Sequence, residues 1–186
     1  MRDGRTARSV RSVGFTLIEL MITVAIIGVL AVLATVGYAR WLRAAKTAEA
    51  TAMLGNIKSA EETWRAEHLN YKGVTGGGTT ITEEYPATAP KDVKVKWDPK
   101  SCTAPMCVVM NQLNVQADGA VYYRYGIVSG SADGAAKSID GKTFSAGAYD
   151  PWFVARAHGD LNNDGKPSYY WTSSFDTTIV SQNPGD

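Results

Sequence analysis

The sequence predicts an α+β chain in which one long N-terminal α-helix, apolar in its first half and one-faced in its second, packs on an antiparallel β-sheet of about four strands. Three observations carry this. From Phe15 to Tyr38 an apolar run is broken by a single charge, Glu19. From Ala50 to Tyr71 apolar residues recur at steps of three and four, the spacing of one helix face. Beyond Pro90 the apolar period drops to two, the spacing of half-buried strands. A chain of 186 residues has room for one domain and an anchor.

As a helix rising ~1.5 Å per residue, residues 15–38 reach roughly 36 Å. That spans a bilayer core of ~30 Å with some tilt. Residues 1–14 hold Arg2, Arg5, Arg8 and Arg11 against Asp3. Arginines on this flank keep the N-terminus cytoplasmic and send the rest across; Arg40, Arg43 and Lys46 weaken the asymmetry, but long domains translocate largely regardless of charge. Without residues 1–14, the 19 basic and 18 acidic residues become 15 and 17. Such a near-neutral remainder carries no basic stripe and hence no nucleic-acid signal. Glu19, five residues into the run, would cost several kcal/mol facing lipid. It needs a positive partner. A cut between Gly14 and Phe15 would create one, a free Phe15 amine one helical turn away, on the same chain or on a neighbour.

With a short basic leader ending in Gly14, then Phe15, then Thr16-Leu17-Ile18-Glu19 and an uninterrupted apolar run, the chain resembles the type IV pilin family, which includes minor pilins and the pseudopilins of type II secretion. The resemblance covers about the first 60 residues. It implies a leader of residues 1–14, cleavage after Gly14 by prepilin peptidase and N-methylation of Phe15. It also implies polymerisation with identical or related subunits by a pilus or secretion assembly machinery, with residues 15–38 as filament core and Glu19 directing register. Before assembly the subunit would cross the inner membrane once with its head in the periplasm; afterwards it would stand in an extracellular pilus. Relatives often carry a proline where this chain has Val36, followed by Gly37, and Gly28 matches a second helix-weakening position. Proline kinks a helix at a defined point, so the residue that would fix local unwinding in a filament is absent here, and unwinding at that point stays an open expectation. An ordinary secretory signal, with Ala31, Ala34 and Ala39 as its cleavage region, and a plain signal anchor are the alternatives; the run is long for a signal peptide, and a glutamate inside it suits one poorly.

In residues 39–72 the stripe Ala50, Met53, Ile57, Ala60, Trp64 and Tyr71 faces inward, while Lys58, Glu61, Glu62 and Arg65 occupy other faces, as on a helix laid against a globular domain. The helix is expected to end near Tyr71-Lys72-Gly73. Residues 73–90, with Gly76-Gly77-Gly78, form a flexible surface connection, which the resemblance makes variable and exposed. In the head, residues 91–186, strands are expected at Val93–Trp97, Val108–Gln116, Ala120–Ser129, Trp152–Ala157 and Ser168–Ser174. Asp118-Gly119 is a hairpin signal, and Val121, Tyr123, Tyr125 and Ile127 line one face.

Cys102 and Cys107, in an exported domain, are expected to form a disulfide around Pro105. A zinc site would need more thiols or histidines than His68 and His158 supply. Asp160, Asn162, Asp164 and Gly165 have the D-x-N-x-D-G arrangement that gathers oxygen ligands around Ca²⁺, with the Lys166 carbonyl next. Position twelve is Trp171, so this is no EF-hand loop, and Asp150 or Asp176 would have to help. The same residues read equally as a polar hairpin turn. Calcium is thus a candidate ligand and no cofactor is required. The aromatics Tyr122, Tyr123, Tyr125, Trp152, Phe153, Tyr169, Tyr170 and Trp171 include adjacent pairs that must point to opposite strand faces, some into the core and some outward for subunit contact or adhesion. There is no nucleophile elbow, phosphate loop or H-E-x-x-H, so the chain is not expected to be an enzyme. The expected function is a structural subunit of a type IV pilus, a pilin or minor pilin. The alternatives are a pseudopilin with a calcium-stabilised C-terminal loop and a non-polymerising, membrane-anchored binding module.

Overall fold

The computed structural model describes residues 14–74, 78–88 and 93–183. Two compact units divide between Trp41 and Leu42. Helix α1 spans Leu17–His68. No proline interrupts its sequence, and it stops at Leu69, whose φ of 60° leaves the helical region. The Leu69 N–H still donates to the Arg65 carbonyl at 2.8 Å, which completes the last turn. The helix therefore ends before the Tyr71–Gly73 stop expected from the glycine. Gly73 serves another purpose: a Cβ there would lie 2.6 Å from the Ser129 amide nitrogen, so only glycine lets this segment run so close to the sheet.

A second helix, α2, spans Pro105–Gln112. Strands follow as β1 (Arg124–Gly130), β2 (Ala136–Ile139), β3 (Lys142–Gly147), β4 (Trp152–Gly159), β5 (Ser168–Ser173) and β6 (Val180–Gln182). A four-stranded antiparallel sheet has the order β1-β4-β5-β6, and β2 and β3 form a separate hairpin. The class is α+β, and β4 and β5 fall at the expected strands Trp152–Ala157 and Ser168–Ser174.

The expected strand Val108–Gln116 is instead mostly helix. Pro105 occupies the first turn behind an extended Ala104, and Met106, Val109 and Met110 are buried. Those residues lie at i, i+3 and i+4, one face of a helix, and proline is suited to a helix start but not to a central strand. Asp118-Gly119 therefore joins no strand pair. The hairpin signal operates at Asp140-Gly141, where φ values of 50° and 77° give the twisted two-residue turn between β2 and β3. Val93–Trp97 contributes only an isolated bridge from Val95 to Val121.

Both faces of the sheet are covered. On one, Ala50, Met53, Leu54 and Ile57 of α1 and Met106, Val109 and Met110 of α2 pack with Tyr123, Tyr125, Ile127, Phe153 and Tyr170. On the other, Ile81 and the hairpin residues Ile139 and Phe144 pack with Val128, Trp152, Val154 and Trp171. Adjacent aromatics do point to opposite faces, yet Trp152 and Phe153, and Tyr170 and Trp171, are all buried. Ala60 and Trp64 only flank the core. Glu61, assigned to a solvent face by the periodicity, is fully buried.

Within the 73–90 connection, Ile81, Glu84 and Tyr85 are buried rather than exposed. Gly76, Gly77 and Pro90 lie outside the described residues. Glu84 anchors the segment, accepting from Arg156 Nη2 at 2.6 Å and meeting His158 Nδ1 at 3.1 Å and Arg124 Nε at 3.2 Å. Arg156 Nη1 also donates to Asp140 Oδ2 at 2.7 Å. The network thus ties β4, the hairpin turn and the 81–85 segment together.

Candidate functional site

The start of α1 is built by Thr16 and Glu19. Thr16 precedes the first helical residue, and its N–H and hydroxyl donate to Glu19 Oε2 at 2.9 and 2.7 Å. The Glu19 N–H donates back to Thr16 Oγ1 at 3.3 Å. This reciprocal capping box satisfies donors that the first helical turn leaves without intrahelical partners. It also sets a carboxylate at the positive end of the helix dipole. Gly14 and Phe15, immediately outside the cap, are exposed and in no regular structure.

Downstream, Leu17–Thr35 is long and apolar enough to cross a membrane, and all of it is exposed. Tyr38 and Trp41 follow, both exposed, with ring centroids 6.2 Å apart. Paired aromatics of this kind are favoured at a membrane–water interface. A family model for the prokaryotic N-terminal methylation motif matches residues 14–35. This is the type IV prepilin-like signature. With the apolar helix behind it, the prepilin-like segment points to a membrane-anchored chain and supports a type IV pilin-like or pseudopilin subunit. No curated protein and no solved structure matches the chain.

Of the expected leader, residues 1–14, only Gly14 lies within the described residues. In the uncut chain the Phe15 nitrogen belongs to a peptide bond, and Glu19 pairs with Thr16. The sequence signal for this was T-x-x-E ahead of an apolar run, the capping-box pattern, which the reading of Glu19 as a charge in search of a cation passed over.

In the head, Cys102 and Cys107 form a disulfide. The Asp160–Lys166 loop closes on itself. Asp160 accepts from the N–H groups of Asp164 at 3.2 Å and Gly165 at 3.0 Å, Asn162 Oδ1 from Asp164 N–H at 3.0 Å, and Asp164 Oδ1 from Lys166 N–H at 2.8 Å. Asn163 and Gly165 supply positive φ. Asp150 is engaged elsewhere, 3.7 Å from Arg65, and Asp176 accepts from Thr178. Among the described residues no three His, Cys, Asp or Glu side chains gather as a metal group. His68 is exposed and stacks on Trp64, and His158 joins the Glu84 network.

Proposed function

We propose that the chain is a structural subunit of a type IV pilus, a pilin or minor pilin. Prepilin peptidase cuts it after Gly14, Phe15 is N-methylated, and the subunit polymerises through α1 with identical or related chains. The observation that carries this reading is the coincidence of the prepilin-like match over residues 14–35 with a fully exposed apolar helix over Leu17–Thr35. Such a surface needs lipid or other helices as its surroundings. Because lipid and leucine are about equally apolar, moving from one to the other gives little net drive, and packing together with charge pairing must set the register. Glu19 is the charge available inside that surface. After the cut, the Phe15 amine lies one turn from it and competes with the Thr16 cap.

The pseudopilin reading is favoured by one feature, the D-x-N-x-D-G loop at Asp160–Gly165, which in that reading would hold calcium. Immunodetection of the chain after shearing separates the two. A pilus subunit enters the sheared filaments. Retention of all of it in the inner-membrane fraction would favour the pseudopilin or an anchored module.

A further inference from the structure

Glu61 is a carboxylic acid in a place that does not suit a carboxylate. It is 0 % exposed on the sheet-facing side of α1, next to Ile57 and the core. Oε2 accepts from the Lys72 N–H at 2.8 Å, whereas Oε1 has no hydrogen-bond partner among the described residues. The Lys72 ammonium does not turn toward it but sits 5.1 Å from the centre of the Trp64 ring.

The segment that Glu61 holds is short: Tyr71 anchors it in the core against Phe153, and its backbone beyond Tyr71 meets the sheet at few points. From Tyr71 to Val74 it runs along β1 through the Ser129 hydroxyl to the Tyr71 carbonyl at 3.3 Å and the Val74 N–H to the Ile127 carbonyl at 3.2 Å. Gly73 rests against Ser129. We propose that Glu61 is a proton-operated latch between α1 and the segment Tyr71–Val74: the protonated carboxyl keeps the segment docked on β1, and ionisation releases it. An ionised carboxylate buried with one amide donor is strongly penalised. Relief requires water or the Lys72 ammonium to reach it, and either demands that the segment lift.

Burial pushes the Glu61 carboxyl up to about 8; the Lys72 amide opposes this, the Glu62 charge adds to it and the Lys72 charge opposes it. The neighbouring Tyr71 hydroxyl is already engaged by Glu62 at 2.9 Å and Arg65 at 3.1 Å. A folded-state value above the ordinary 4.5 means that the unfolded or opened chain loses its proton first. The docked state is then at full strength below about 4.5 and weakens as pH rises to about 8.

The test is amide hydrogen exchange at Lys72 in the full chain in detergent micelles. The wild-type protection factor is expected to fall more than tenfold between pH 6 and pH 8, since each unit of pH favours the ionised open state up to tenfold. Glu61→Gln, neutral at every pH, is expected to hold a flat profile. A flat wild-type profile, or the same fall in both proteins, overturns the latch. Should Glu61→Gln not fold, carbon-detected NMR titration of the wild-type Glu61 carboxyl decides: a midpoint near 8 that coincides with the fall in Lys72 protection sustains the proposal, and a midpoint near 4.5, or one at which Lys72 protection is unchanged, refutes it.

Discussion

Thr16 and Glu19 hold each other across the first turn of α1, the threonine N–H and hydroxyl donating to one carboxylate oxygen and the glutamate N–H donating back to the threonine hydroxyl. The residue with the greatest electrostatic cost in the apolar segment is therefore already in use before any second chain arrives. Its capping role and its charge-pairing role can be separated by chemistry, because glutamine can serve at this capping position as glutamate does but carries no charge.

Glu19→Ala and Glu19→Gln are both expected to leave the subunit inserted in the membrane and both to reduce its incorporation into filaments severalfold. Quantifying each variant in sheared material against the membrane fraction checks this. Normal incorporation of Glu19→Gln, with loss only in Glu19→Ala, would make the residue a helix cap and end the charge-pair account.

Arg156 is expected to be the most damaging single charge to remove from the head. Arg156→Met leaves the buried Glu84 to Arg124 and His158 alone and takes the cation from the half-buried Asp140, and should cost about 3 kcal/mol in chemical denaturation. The pH dependence follows from Glu84. Burial works to raise its pKa, but the hydrogen bond with His158 and the Arg156 charge outweigh it, so the carboxyl titrates below its ordinary 4.5. Its contribution is present above about 4.5 and is lost as pH falls through the lower folded value. The wild type should lose stability on acidification below that point, and Arg156→Met should lose less over the same range.

Reducing the Cys102–Cys107 bond should cost about 2 kcal/mol, the loop-closure entropy of a ring of about six residues. The comparison is the unfolding midpoint with and without reductant. Local loss of α2 is expected to accompany the shift, because Cys107 is buried within that helix.

Asp160→Ala removes the acceptor for two loop amides and should destabilise the head by about 1–2 kcal/mol in calcium-free buffer. Millimolar calcium is expected to leave the wild-type midpoint in place. A rise of several degrees with calcium, absent in Asp160→Ala, would make the loop an ion site.

What could be read from the residues follows the physics of each element. The apolar run and Gly14-Phe15-Thr16-Leu17-Ile18-Glu19 are continuous in sequence, so the long apolar helix and the prepilin-like start needed no tertiary information. Strands β4 and β5 were readable because Trp152-Phe153-Val154 and Tyr169-Tyr170-Trp171 are short runs of aromatic and β-branched residues on either side of the polar turn Asp160–Gly165. Helix α2 was not, because Met106, Val109 and Met110 are too few to establish a helical period beside β-branched Val108 and Val109. The hairpin of β2 and β3 was passed over since Lys137 and Ser138 give it little apolar pattern. Glu61 and the Glu84–Arg156–Asp140 network depend on contacts between residues up to 75 positions apart, which local patterning does not contain.

Processing of this chain and its incorporation into a filament are read together by mass spectrometry of the N-terminal peptide in sheared surface filaments, beside the membrane fraction of the same cells. A peptide beginning at N-methylated Phe15 is expected in the sheared material. A chain still carrying residues Met1 to Gly14 in every fraction would contradict both.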